Sequence, residues 1–104
     1  MVIDPNIEEK LSNFINKVKK NKIKVIKAYL YGSYAKGKAR EDSDIDVAII
    51  SPDFSGNRFI DSLTIIPFRR KIDSRIEPVA YKPEDFEETD PLVAEIKENG
   101  FELK

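Results

Sequence analysis

At 104 residues the chain has enough length for about one modest hydrophobic core. Lys and Arg number 18 against 19 Asp and Glu, so the formal net charge is −1 and no strong global field is available to capture nucleic acid or an anionic membrane. Cysteine and histidine are both absent, which excludes disulfides, thiol nucleophiles, Cys/His zinc sites and imidazole acid–base chemistry and leaves carboxylate, hydroxyl, Lys and Arg groups.

Any polyanion must therefore be held by a local site, and the composition gives no strong evidence for direct nucleic-acid binding. No apolar run approaches the roughly 18 residues that cross a bilayer, and Met1 opens onto Val-Ile-Asp-Pro rather than a basic and then apolar leader. The expectation is a cytoplasmic protein with no membrane partner, folded as one domain over residues 1–104.

Asp4-Pro5 has the pattern of an N-cap followed by a first-turn proline, and Ile7, Leu11, Phe14, Ile15 and Val18 recur at helical spacing, which predicts an amphipathic helix over residues 5–21. Residues 23–31 are rich in β-branched and aromatic side chains and stop at Gly32-Ser33, as a strand does before a turn. A polar segment with room for one or two helical turns leads to a second strand, Ile45 to Ile50, closed by Ser51-Pro52. Residues 57–73 carry Phe59, Ile60, Leu63, Ile66 and Ile72 at roughly helical spacing, with Pro67 set to kink or restart the helix. Residues 74–81 read as a third strand with Pro78 removing a ladder donor, so a free edge is expected there. Asp90-Pro91 repeats the cap signature ahead of a helix over 91–99, Gly100 caps it, and Phe101 to Leu103 can add a short strand. That order describes a small α/β sheet domain with helices packed on one face.

The segment between the first two strands contains Gly-Ser-Tyr-Ala-Lys-Gly-Lys-Ala, close to the phosphate-cradling pattern G-x-x-x-x-G-K-[ST]. A P-loop runs straight into a long helix and needs Ser or Thr after its lysine, whereas Lys38 is followed by Ala39 and then by Asp44 and another strand. The resemblance is one of spelling. Asp44 and Asp46, two apart at a strand entrance, project from one face while Ile45 and Val47 point to the other. Adjacent carboxylates repel, and a bound cation or exposure to water keeps both ionised; oxygen-only ligands favour magnesium or manganese. The ordinary alternative is a solvated strand entrance with acidic caps. Gly32-Ser33, separated from Asp44 by a ten-residue spacer, permits close approach of an anion and offers an N–H and a hydroxyl to phosphate oxygens.

Gly32-Ser33, the spacer and Asp44-Ile45-Asp46-Val47 together resemble the signature of the polymerase-beta nucleotidyltransferase superfamily, and the stretch 32–47 is similar to the minimal nucleotidyltransferase domains of bacteria and archaea. The resemblance implies an α+β fold with a small mixed sheet and helices mainly on one face. It also implies transfer of a nucleoside monophosphate, AMP from ATP, to a hydroxyl. Carried over, Asp44, Asp46 and Glu77 hold two magnesium or manganese ions, with Glu77 also serving as base, and Gly32 and Ser33 hold the phosphates with help from Lys36. The family's third carboxylate is usually aspartate, so Asp73 stands as the alternative to Glu77. Tyr34, Gly37 and Ser43 are expected to shape the turn. Minimal nucleotidyltransferases similar to this chain stand beside all-helical HEPN-type ribonucleases as antitoxins, which implies such a partner and a tyrosine of it as acceptor. A catalytically weak module that neutralises its partner by complex formation is the alternative.

Overall fold

In a computed structural model, which describes residues 3–103, Asp4 accepts a hydrogen bond from the Asn6 amide (2.9 Å) and so starts helix α1, Pro5–Lys20. The expected domain and the opening residues also include positions 1, 2 and 104, which lie outside the described residues. Helix α1 buries Ile7, Leu11, Phe14, Ile15 and Val18, the stripe its spacing predicts, and ends at Asn21.

Strand β1 (Lys27–Tyr31) is shorter than the apolar run suggests, because residues 23–25 form the approach to the sheet rather than part of it. Strand β2 spans Ile45–Ile50 as expected. Between them the polar segment makes consecutive turns and no helix; the Lys36 amide reaches the Gly32 carbonyl (3.1 Å), a single helical turn that the glycines on either side do not extend. Helix α2 (Arg58–Ile65) passes into a 3₁₀ turn, Ile66–Arg69, with Pro67 in its first positions, so proline restarts the helix as a tighter one. Strand β3 (Ile76–Tyr81), helix α3 (Pro91–Asn99) and strand β4 (Phe101–Leu103) complete the order.

The four strands form one mixed sheet in the order β3-β2-β1-β4, with β2 and β3 parallel and the other neighbours antiparallel. Pro78 lies on the edge strand, where its missing donor costs no ladder bond on the outer side. That outer side is closed by side chains: Ser62 of α2 accepts from the Ala80 amide (3.0 Å) and Arg69 donates to the Ile76 carbonyl (2.9 Å).

One face of the sheet, carrying Ala28, Leu30, Ile45, Val47, Ile49, Ile76 and Ala80, packs on α1 and on Ile65 of α2. The opposite face carries Ala48, Ile50 and Tyr81 and is covered over that part by Val93 and Ile96 of α3 and by Phe86. Two of the three helices thus share a face, as expected. The side of α2 that packs inward differs from its apolar pattern: Asp61 and Ile65 are buried, whereas Phe59, Ile60 and Leu63 are 73%, 55% and 50% exposed. Asp61 is buried because it accepts from the amides of Ser55 and Gly56 and from the Ser55 hydroxyl, tying down the loop that enters the helix.

Candidate active site

Alternation along the strands decides which side chains meet. Tyr31 pairs with Asp46 across the antiparallel β1–β2 ladder, and Asp46 pairs with Glu77 across the parallel β2–β3 ladder. All three therefore stand on the α3 side of the sheet, in a row of neighbours about 4.8 Å apart. Farther along the same face α3 and Phe86 cover Ala48, Ile50 and Tyr81, while Asp46 is only half-buried and Glu77 is exposed. Asp44, also exposed, immediately precedes β2 on the same side as Asp46.

The backbone turns away from β1 at Gly32, where φ is +75° and a Cβ would collide with a carboxylate oxygen of Asp46. Glycine is required there twice over, once for the left-handed backbone and once for the space. Ser33 follows at the lip of the same turn, partly exposed, and its carbonyl accepts from the Lys38 amide (2.9 Å). Gly32, Ser33, Asp46 and Glu77 are thereby brought to one end of the sheet.

The loop that carries Ser33 is anchored from two sides. Ala35 is buried in the α1-side core, and Arg75 donates to the Tyr34 hydroxyl (2.9 Å) and to the Glu41 carbonyl (2.7 Å). Arg75 is itself held by Asp73, whose carboxylate also accepts from Lys10 (2.8 Å). Those bonds, chiefly from Arg75, hold the Asp73 carboxyl well below the usual carboxylate range. Asp73 precedes β3 and its oxygens are engaged in this anchor, so it works as a loop clamp, whereas Glu77, beside Asp46 on β3, makes no side-chain hydrogen bond or ion pair among the described residues. Tyr34, Gly37 and Ser43 serve the turn as expected: Tyr34 takes Arg75, Gly37 has φ +69°, and the Ser43 hydroxyl accepts from the Arg40 amide (2.7 Å). Lys36 is turned toward α3 and pairs with Glu95 at 2.6 Å, both about 40% exposed, a contact weak enough to exchange.

Electrostatics single out Asp46. Its carboxyl is pushed up from 3.8 to about 6, first by burial and then by the charges of Asp44 and Glu77. Tyr31 is pushed well above the usual phenol value, by burial first and by Asp46 next. Among the described residues no three acidic groups converge as a closed cation site. The donor set still fits a hard divalent cation in kind: its groups are carboxylates, burial and the neighbouring acids make Asp46 resist ionisation without a positive charge, and exposed Asp44 and Glu77 can rotate toward Asp46.

Arg75, Lys10 and Tyr31 were not legible as site residues. Arg75 acts through partners 34 and 41 positions away, Lys10 through one 63 positions away, and Tyr31 reads as an ordinary strand aromatic until the register places it beside Asp46.

A Gly-Ser turn facing a pair of carboxylates on adjacent strands of a small mixed sheet defines the nucleotidyltransferase class, and comparison with known proteins agrees. The nucleotidyltransferase domain model matches residues 11–102, and the chain belongs to that family. Comparison with curated protein sequences finds no match. Solved structures share the fold. One, a Sulfolobus solfataricus protein assigned as a nucleotidyltransferase, is 14% identical with a TM-score of 0.65, over 92% of this chain and 78% of its own. A toxin–antitoxin solved with AMP-PNP is 24% identical with a TM-score of 0.66, and a doubly substituted form of the toxin–antitoxin MntA-HpeT is 22% identical with a TM-score of 0.65; each covers 93% of this chain and 72% of its own.

Proposed function

We propose that this nucleotidyltransferase moves AMP from ATP to a hydroxyl of a protein partner, with Asp44, Asp46 and Glu77 as the acidic residues of the reaction. The observation that carries the reading is the row formed by Asp46 and Glu77 directly opposite Gly32, at the open end of the sheet. Gly32 lets the backbone come close to the phosphates, and Ser33 offers its amide and hydroxyl to their oxygens. Lys36 adds charge once it leaves Glu95. Asp44, Asp46 and Glu77 would hold two magnesium or manganese ions, which when bound offset charge developing on the triphosphate. Glu77, the most exposed member of the row, takes the proton of the acceptor hydroxyl as its oxygen bonds to the α-phosphorus. The bond from that phosphorus to the pyrophosphate oxygen breaks and pyrophosphate leaves.

The toxin–antitoxin neighbours support a toxin as the partner, and the resemblance of residues 32–47 to minimal nucleotidyltransferases is what suggests a helical HEPN-type protein with a tyrosine as the acceptor. The exposed apolar side of α2 supports a protein partner independently, since Phe59, Ile60 and Leu63 form a patch left uncovered among the described residues. The same patch favours a second reading, in which complex formation alone neutralises the partner. Incubating the protein with α-³²P-ATP, magnesium and the protein encoded beside it separates the two. Label transferred to a partner tyrosine, and lost with Asp46→Asn, supports the enzyme; a stable complex without label supports the binding module.

A further inference from the structure

The near-zero net charge conceals a separation of charge. Residues 1–40 hold 10 Lys and Arg against 3 Asp and Glu, whereas residues 41–104 hold 8 against 16. Within the first part, Lys17, Lys19, Lys20, Lys22, Lys24 and Lys27 fall in eleven residues with no acid among them. These lysines run from the last turns of α1 to the start of β1, the end of that strand away from Gly32.

The fold adds to this run from elsewhere in the chain. Lys17 donates to the Arg70 carbonyl at 2.8 Å, which joins α1 to the turn 69–72, and a groove between them is lined by Asn13, Asn16, Lys17, Lys19, Lys20 and Lys71. Lys19, Lys20, Lys22, Lys24, Lys27, Arg70 and Lys71 are all exposed, and none of them forms an ion pair among the described residues. Interaction with the negative end of the α1 dipole accounts for the lysines of its last turn but not for Lys22, Lys24, Lys27 or Lys71.

Two of these lysines also sit where the backbone favours glycine. Lys22 follows the C-cap of α1 with φ +66°, the left-handed position at which helices commonly place glycine. Lys71 has φ +66° in a turn closed by the Ile72 amide on the Arg69 carbonyl (3.0 Å), again a glycine position. Among the described residues these are the positive-φ positions not occupied by glycine; Lys71 lines the groove with Lys19 and Lys20, and Lys22 lies with Lys19 and Lys24 in the adjoining groove, which also holds Asp53.

We infer that this face, built by the end of α1, the Lys22 turn and the Lys71 turn, binds the phosphodiester backbone of a nucleic acid without reading its sequence. An acidic protein surface fits less well: protein interfaces have an apolar centre poor in lysine, whereas nucleic-acid interfaces are polar, wet and positive. The face lies across the sheet from the Gly32 end, so it is a second site whose occupancy does not depend on the proposed transfer reaction.

Fluorescence anisotropy with labelled 20-nucleotide single-stranded RNA and a 20-base-pair RNA duplex, at salt between about 50 and 200 mM, tests it. Binding of either form in the micromolar range, weakening steeply with salt, is expected. The triple variant Lys19→Gln, Lys20→Gln, Lys71→Gln should bind at least about ten-fold more weakly, with the slope of log affinity on log salt reduced by about 2 for the single strand. Lys22→Gly provides the control for folding: it relieves a left-handed lysine, so its melting temperature should be no lower than wild type while RNA affinity falls. No binding of either RNA at about 100 μM protein would overturn the inference. So would wild-type affinity in the triple variant, or binding of poly-L-glutamate in preference to both RNAs, which would assign the face to an acidic protein.

Discussion

Asp46→Asn should make the protein more stable while removing its proposed activity. The Asp46 carboxyl is half-buried, no hydrogen-bond donor reaches it among the described residues, and it stands beside two other acids. Because its folded value of about 6 lies above 3.8, the folded chain binds this proton more tightly than the unfolded chain does. Stability is therefore lost as pH rises from about 4 to about 6 and stays at the lower level beyond. The shift from 3.8 to about 6 corresponds to roughly 3 kcal/mol at about 1.4 kcal/mol per pH unit, and screening by water at a half-buried group reduces this to about 1–2 kcal/mol. Asparagine keeps the shape and removes the charge. In metal-free buffer with a chelator, its melting temperature followed by circular dichroism at pH 8 should exceed wild type by about 5–10 °C, and the difference should vanish near pH 4. Magnesium should narrow the gap by stabilising wild type alone. A gain that is the same at both pH values, or a loss at pH 8, would refute an ionised and crowded Asp46.

The two loop glycines separate backbone strain from close approach. Gly37→Ala meets no atom within 4 Å and should cost about 1 kcal/mol with activity kept, whereas Gly32→Ala must also displace Asp46 and should lose nucleotide binding as well, both read by denaturation and calorimetry. Asp73→Asn should destabilise the protein by about 2–3 kcal/mol in urea by freeing Lys10 and Arg75. Since the Asp73 carboxyl sits below its ordinary value, that contribution should persist at neutral pH and be lost only in strong acid. Lys38→Ala should reduce ATP affinity little and Ser33→Ala more, and the opposite order would reopen the P-loop reading. Given a competent acceptor, Glu77→Gln should lower turnover on the order of 10²-fold or more with little change in ATP affinity, while Glu77→Asp keeps part of the rate.

Much of the fold is legible locally. Asp4-Pro5 and Asp90-Pro91 mark helix starts because a side-chain cap and a fixed φ act within a few residues, and Ile45 to Ile50 marks a strand because it is buried over nearly its whole length. Strand β1 begins later than its composition suggests, since Ile23 and Val25 pack on the core without entering the ladder. Helix α2 shows what periodicity leaves open: Phe59, Ile60 and Leu63 share a side, but burial goes to Asp61 and Ile65 because the loop at residues 55–56 needs the Asp61 carboxylate. The Gly32 and Asp46 pairing is readable as a motif, while its reason, a carboxylate against a missing Cβ, emerges only from the register. The choice between Glu77 and Asp73 likewise depends on Lys10 and Arg75, which no local pattern connects. Net charge concealed the lysine face because it sums over opposite ends of one small molecule.

The central claim, that Asp44 and Asp46 bind nucleotide through divalent metal, is tested most directly by isothermal titration of the protein with ATP. Binding is predicted with magnesium or manganese, absent with chelator, and absent with metal in the Asp44→Asn, Asp46→Asn double variant. Binding of equal strength in that variant, with or without metal, would contradict it.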